Sequence, residues 1–339
     1  MRTVTRLFLA LLLVAILSAA CSSGIDESAP ADPVTADPSP TAEPTPTATS
    51  EPAPDRPTID ELVNRAEPLN IAHAGGDQEG PHSTFFAFDQ AVASGADMLE
   101  IDVQLSGDGV LIVQHDDTVD KTTDASGPVA ERTLAELQSL DAAYWFSAEC
   151  WPCRDLPDDA YPYRGVRTGA SPPPPGATAD DFRIITFAEL VERYPSHPLD
   201  IEIKGSAPDA LPVVEALAVE IEAAGIEDSV VVVSFDDALV AAFEARLPGV
   251  ETSPGSNEMT VWLFGRQPLE GHRIVQVPPD FDGLAVITPS FWDTVAASDV
   301  AVWVWPSNAE TQENTTFYTE MIAQGAAGII AGRPSQMPI

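Results

Sequence analysis

From residue 70 onward, short runs of β-branched and other apolar residues alternate with longer stretches rich in Ala and Leu. The runs "NIAHA", "MLEIDV", "VLIVQH", "LDIEI", "SVVVVSF", "RIVQV" followed by "LAVIT", "VAVWVW" and "AGIIA" predict strands. Apolar residues at helical spacing predict helices over 84–94, 208–224, 236–247 and 310–324. In the first of these, Phe85, Phe88 and Val92 recur at helical spacing, and Gly95 supplies a stop. Several strands are apolar on both faces, as in a parallel sheet covered by helices. Strand–helix units repeated over this length predict a (β/α)8 barrel in preference to a doubly wound sheet.

Two stretches break the repetition. Only "QLSGDG" separates "EIDV" from "VLIVQH", too short for a crossover helix. Either Asp108-Gly109 turns a hairpin there, or two barrel strands are joined by an extended return. Residues 147–183, with "YPYRGVRTG" and "SPPPPGA", carry little helical or strand pattern and form a long inserted loop. Loops of this length commonly cover or line a binding site.

Six polar side chains interrupt or end the apolar runs: His73, Glu100, Asp102, His115, Glu202 and Lys204. Residues i and i+2 of a strand share a face, so Glu100 projects with Asp102 and Glu202 with Lys204. Carboxylate oxygens suit a hard cation such as Mg2+ or Ca2+. Beside it, a lysine can balance charge on a phosphate, and two imidazoles can give and take a proton. A histidine at a strand end is usually just a satisfied polar group, and Glu202 with Lys204 could be a plain ion pair. The joint occurrence is harder to explain that way, because each group would cost free energy if left unpaired among apolar neighbours.

The 339 residues carry 53 acidic against 16 basic side chains, a formal net charge of -37. Such a surface repels nucleic acids and anionic bilayers, so nucleic acid is not an expected partner. Residues 1–20 read as an export signal: Arg2 and Arg6, an apolar run from Leu7 to Leu17, then small residues before Cys21. "LSAAC" resembles a bacterial lipoprotein signal, which implies lipidation of Cys21 and an extracytoplasmic, membrane-anchored protein. An uncleaved membrane anchor is the competing reading. Residues 21–57, rich in Pro, Thr, Ala and acidic residues, bury too little apolar surface to order and predict an extended tether. The folded domain is expected over 58–339. Of three cysteines, Cys150 and Cys153 remain; in an exported protein they predict a small disulfide loop, since no zinc partners stand nearby.

"IAHAGG…TFFAFDQAVASGADMLEIDVQLSGDGVLIVQHDD" resembles the N-terminal signature of glycerophosphodiester phosphodiesterases. "IITFAELVERYPSHPLDIEIKG" resembles the family's second block and "AGIIAGRP" its closing strand, so the likeness covers nearly all of 69–335. It implies a TIM barrel that hydrolyses glycerophosphodiesters to sn-glycerol 3-phosphate and an alcohol, using Ca2+ or Mg2+. It also implies that the substrate's own glycerol hydroxyl attacks first, through a cyclic phosphate. By position, His73 and His115 would be general acid and base, Glu100, Asp102 and Glu202 metal ligands, and Lys204 a phosphate ligand.

The chain departs from this pattern at three places. Ala74 stands where the family has Arg, Pro81-His82-Ser83 replaces its Pro-Glu-Asn, and Ala331-Gly332 replaces a closing Thr-Asp. Lys121, Arg164 or Arg167 is expected to supply the missing cation. Two other readings compete. One is a phospholipase D-type barrel that converts a lysophospholipid to a cyclic phosphate, and the other is a catalytically silent binding homologue.

Overall fold

A computed structural model describes residues 55–338, so the export signal, Cys21 and most of the tether lie outside the described residues. Among the described residues twelve strands occur in chain order: β1 Leu69–Ala72, β2 Met98–Leu105, β3 Leu111–Val113, β4 Ile185–Thr186, β5 Leu199–Ile203 and β6 Val230–Val233. They continue as β7 Glu251–Thr252, β8 Ile274–Val277, β9 Asp280–Phe281, β10 Leu284–Ala285, β11 Ala301–Val304 and β12 Gly328–Ala331. Eight of them pair in parallel in the order β7-β6-β5-β2-β1-β12-β11-β8. This is a (β/α)8 barrel, nearly closed; among the described residues no ladder joins β7 to β8.

Strand parity decides what faces inward. Leu69, Ile71, Met98, Val231, Ile274, Trp303 and Ile330 form one buried cluster, against which Ile59 and Leu62 of the helix Ile59–Val63 pack. Residues of the opposite parity in β2, β5 and β6, Leu99, Ile101, Val103, Leu199, Ile201, Val230 and Val232, belong to the layer packed with the helices. Glu100, Asp102, Asp200, Glu202 and Gln276 therefore share the inward parity, with Asp200 accepting a 2.8 Å hydrogen bond from Gln276 Nε2. Apolar groups occupy the lower barrel and carboxylates the upper part, at the strands' C-terminal ends.

The stretch before "VLIVQH" is a hairpin, because β3 runs antiparallel to β2 with Val103 opposite Val113. Gly109 adopts φ 81° in its turn, a conformation that needs no Cβ. "VLIVQH" is thus no barrel strand: it folds back from the rim over β2 and pairs with β4 beyond. Two further expectations are corrected. "LAVIT" forms only the small β9–β10 hairpin, whose side chains are exposed, and the barrel strand β7 was not predicted. The 310–324 pattern divides into helices Ala309–Gln312 and Thr315–Gln324, each started by its own Asn cap, Asn308 and Asn314. The insertion 147–183 carries only 3-10 turns, at Asp158–Ala160 and Ala179–Phe182. It packs through Tyr163 and Phe182 against Phe86.

Candidate active site

Register brings the acidic groups together. Glu100 lies opposite Asp200 and Asp102 opposite Glu202 in the β2–β5 ladder. Glu100, Asp102 and Glu202 each present a carboxylate oxygen within 4.8 Å of the others. Lys204 Nζ donates to Glu202 Oε1 at 2.8 Å and lies 3.4 Å from Asp102 Oδ1. Both Asp102 oxygens are fully buried without a hydrogen-bond donor. A buried carboxylate so placed is costly unless a cation completes it. The donor set is all oxygen and fits a hard divalent ion.

These charges shape one another's acidity. Burial and the neighbouring Asp102 push Glu100 well above the usual carboxylate range, and burial and Asp102 also raise Glu202. Burial would raise Asp102 too, but Lys204 and the histidines hold it low. Burial opposes the charge on Lys204, yet Asp102 and Glu202 lift its pKa above normal.

The first histidine is placed by a tight turn after β1. His73 O accepts from Gly76 N at 2.7 Å and from Asp77 N at 3.2 Å. Ala74 is held at φ 45°, a left-handed conformation costing a residue with a Cβ about 1 kcal/mol. That geometry aims Ala74 N–H at Glu100 Oε2, 2.8 Å away. It also returns Asp77 Oδ1 to His73 Nδ1 at 3.1 Å, which fixes the ring. Burial disfavours the imidazolium, but Asp77 and Glu100 outweigh it and raise His73 well above the ordinary value.

His115 arrives from the hairpin's return. Gln114 N donates to Asp102 O at 2.9 Å, and Gln104 Nε2 clamps the carbonyls of Gln114 and Asp116 at 2.7 and 2.8 Å. The His115 ring is oriented by Asp116 Oδ1, 2.9 Å from its Nδ1. Burial opposes ionisation of Asp116, but His115 and Lys121 pull it down to about 2. All six predicted residues converge here, and His73, Glu100, His115, Glu202 and Lys204 line one cavity of about 440 Å³.

Asp77 and Asp116, which orient the two histidines, were not predicted, and neither were His82 and Glu313. His82 lies buried between the histidines, its ring edge-on to both at 6.2 Å from His73 and 5.6 Å from His115. Burial drops its pKa to about 3, so it sits there neutral. Its only sequence signal was the altered Pro81-His82-Ser83 segment. Glu313, from the break between the last two helices, also lines the cavity and accepts from Gly332 N and Arg333 N at 3.1 Å. Burial raises it to about 7. A Cβ at Gly332 would come within 2.6 Å of Asp77 Oδ1 and 2.7 Å of Glu313 Oε1. Glu313 thus occupies the space that a larger residue at 332 would need, and nothing in the polar "AETQENTT" stretch announces it.

Arg164 and Arg167 are not at the site. Arg164 is sandwiched over the rings of Tyr161, Tyr144 and Trp145 at 3.8, 4.4 and 4.8 Å and bonded to Asp158. Arg167 is bonded to Gln138 O and Asp180. Both guanidiniums organise the insertion. Lys121 stays close, with Nζ 3.6 Å from Asp116 Oδ2 and 5.6 Å above the Trp151 ring. Trp151 lies between Cys150 and Cys153, which are joined as a disulfide with Cα atoms 5.5 Å apart, and its ring is 6.4 Å from His82. The insertion therefore touches the site through Trp151.

Solved structures share this fold. A phosphodiesterase from Oleispira antarctica, solved with the product sn-glycerol-3-phosphate, superposes with a TM-score of 0.58 at 20% identity, covering 79% of this chain and 94% of that one. The glycerophosphoryl diester phosphodiesterase domain of a Mycobacterium tuberculosis protein superposes with a TM-score of 0.60 at 20% identity over 79% and 97%. A Bacillus subtilis glycerophosphodiester phosphodiesterase is 32% identical over 147 residues, 43% of each chain. The chain spans less than half the length of the curated Bacillus subtilis relatives it matches. The family model described as glycerophosphoryl diester phosphodiesterase matches residues 73–335, from His73 to beyond the last barrel strand, and the chain belongs to that family.

Proposed function

We propose that the protein hydrolyses glycerophosphodiesters to sn-glycerol 3-phosphate and an alcohol. The observation that carries this reading is the convergence of two separately oriented histidines with Glu100 and Glu202 on one cavity, and of Asp102 buried beside them with both its oxygens lacking a hydrogen-bond donor. Glu100, Asp102 and Glu202 would hold Ca2+ or Mg2+, which when bound polarises the phosphoryl oxygens. Lys204, tied to Glu202, presents its ammonium to a phosphate oxygen. His115, oriented by Asp116, takes the proton of the attacking hydroxyl. His73, kept protonated by Asp77 and Glu100, gives a proton to the leaving oxygen. The export signal and Cys21 support an extracytoplasmic, lipid-anchored site of action.

The purified chain is expected to cleave glycerophosphocholine and glycerophosphoethanolamine with Ca2+ or Mg2+ and to stop when a chelator is added. Phosphorus NMR should show glycerol 3-phosphate as the final product, with activity in the cell's membrane fraction unless Cys21 is replaced by Ser. No turnover of either ester under any of these conditions would sink the reading.

We propose that Lys121, 3.6 Å from the Asp116 carboxylate that orients His115, supplies the cation missing at Ala74. Lys121→Ala should raise KM for glycerophosphocholine about tenfold, the weight of one charge-assisted contact. Arg164→Ala should leave KM alone and lower the melting temperature, because it removes three ring contacts from the insertion. The reverse pattern would transfer the role to Arg164.

A further inference from the structure

Of the carboxylates that line the cavity, Glu100 and Glu202 belong to the acidic cluster and Asp77 is bonded to His73. Glu313 has no part in the reaction as derived so far. It comes from the break between helices Ala309–Gln312 and Thr315–Gln324 and is half-buried. Its donors are the Tyr318 hydroxyl and the backbone N–H groups of Gly332 and Arg333. All three are neutral, so these bonds hold the carboxylate in place without cancelling its charge.

Its neighbours put it on the side of the leaving oxygen. A Cβ on Gly332 would meet Asp77 Oδ1 at 2.6 Å and Glu313 Oε1 at 2.7 Å, so the two carboxylates flank one point. Asp77 orients the ring of His73, the group that gives its proton to the leaving oxygen in the activity proposed above. Gln78 fixes this corner, with Nε2 donating to Asp77 Oδ2 and its backbone N–H to Gly332 O, both at 3.0 Å. The departing alcohol therefore lies beside Glu313. A carboxylate set near a second one and shielded from water is costly unless a cation answers it. An ammonium on the alcohol would do so. An anionic alcohol would meet repulsion from Glu313 and from a chain of net charge -37. We infer that Glu313 is a specificity-determining residue, selecting diesters whose leaving alcohol carries a primary or quaternary ammonium group. The inference rests on the activity proposed above and names the alcohol that it releases.

The test compares glycerophosphocholine with glycerophosphoneohexanol, an ester of the same shape in which carbon replaces the quaternary nitrogen. The native chain should prefer the choline ester in kcat/KM by about tenfold, the weight of one charge-assisted contact. Glu313→Gln keeps the shape of the side chain and should bring that ratio to about twofold or less. Glu313→Asp, which retains the charge, should keep part of the preference. Groups that act on both esters cancel in the ratio, so its pH dependence in the native chain needs no variant. Burial raises Glu313 to about 7 against the pull of Tyr318, with Asp77 raising it further and His73 lowering it. The preference should therefore grow from about pH 6 to about pH 8 as the carboxylate ionises. Calorimetric binding of phosphocholine against neohexyl phosphate reads the same contact without turnover. It should favour phosphocholine in the native chain and lose that preference in Glu313→Gln. A native chain with no preference at any pH, together with equal binding of the two phosphates, overturns the inference. So does a Glu313→Gln variant that slows both esters alike, which would make Glu313 a brace for the end of β12. If neither ester is cut but the binding preference stands and the variant loses it, the proposed activity fails and the ammonium subsite survives.

Discussion

The Glu100→Gln variant is expected to be inactive and yet, without metal, more resistant to heat than the native chain. Glu100 is buried on the inner face of β2 with Asp102 beside it and Asp200 opposite. Like charges that close, shielded from water, destabilise the fold, and burial with Asp102 already pushes Glu100 well above the normal carboxylate range. Glutamine removes that repulsion and keeps an oxygen for the N–H of Ala74. The gain should be on the order of 1–2 kcal/mol, a rise of several degrees for a domain of this size. Function should move the other way, since a proposed ligand of the cation is lost, and kcat/KM should drop by about 10³ or more. A third measurement ties the two together. Ca2+ or Mg2+ should raise the native melting temperature, as any ligand of the folded state does, and should do so far less in the variant. A variant that keeps both its activity and its metal-induced shift would remove Glu100 from the metal site.

The second large effect separates the two histidines. His73→Ala and His115→Ala should each lower kcat on glycerophosphocholine by about 10²–10⁴, the usual weight of a positioned acid or base. Neither should change stability much, because both rings are partly exposed to the cavity and each is tied to the protein by a single carboxylate. A glycerophosphodiester with a p-nitrophenyl leaving group needs no proton on departure. His73→Ala should therefore recover most of its rate on that ester, whereas His115→Ala should remain slow. Recovery by His115→Ala instead would exchange the two roles. Asp77→Asn should reproduce part of the His73→Ala loss, since it removes the carboxylate that orients the ring and keeps it protonated.

Much of the catalytic end is legible along the chain because its logic is local. A strand alternates faces, so Glu100 with Asp102 and Glu202 with Lys204 must project together in any sheet that contains them. Apolar neighbours on both sides mark those strands as buried, and burial makes four ionised groups hard to explain without a ligand. The family likeness lies on the same residues. The six residues named from the sequence are the ones the barrel gathers, although the route of His115 through a hairpin was one of two open readings.

What was illegible depends on partners far away in the chain. Arg164 and Arg167 are ordinary loop cations in the sequence, and only the packing of Tyr144, Trp145 and Tyr161 around one of them, and Asp180 beside the other, takes them from the site. β7 escaped notice because a paired run as short as Glu251–Thr252 has no periodicity to detect. Glu313 carries no pattern at all, and His82 only a departure from the family's Pro-Glu-Asn segment. Their roles come from the space left by Gly332 and from the gap between two histidine rings.

The sequence by itself determined the barrel class, the family and the inward-facing carboxylates, because parity and apolar patterning act over a few residues. Only the tertiary structure decided the register that sets Asp102 opposite Glu202, the neutral His82 beside both histidines, and Glu313 in the space left by Gly332. Each of these joins segments distant in the chain. No local rule fixes such a meeting, since it follows from how eight strands close into one ring.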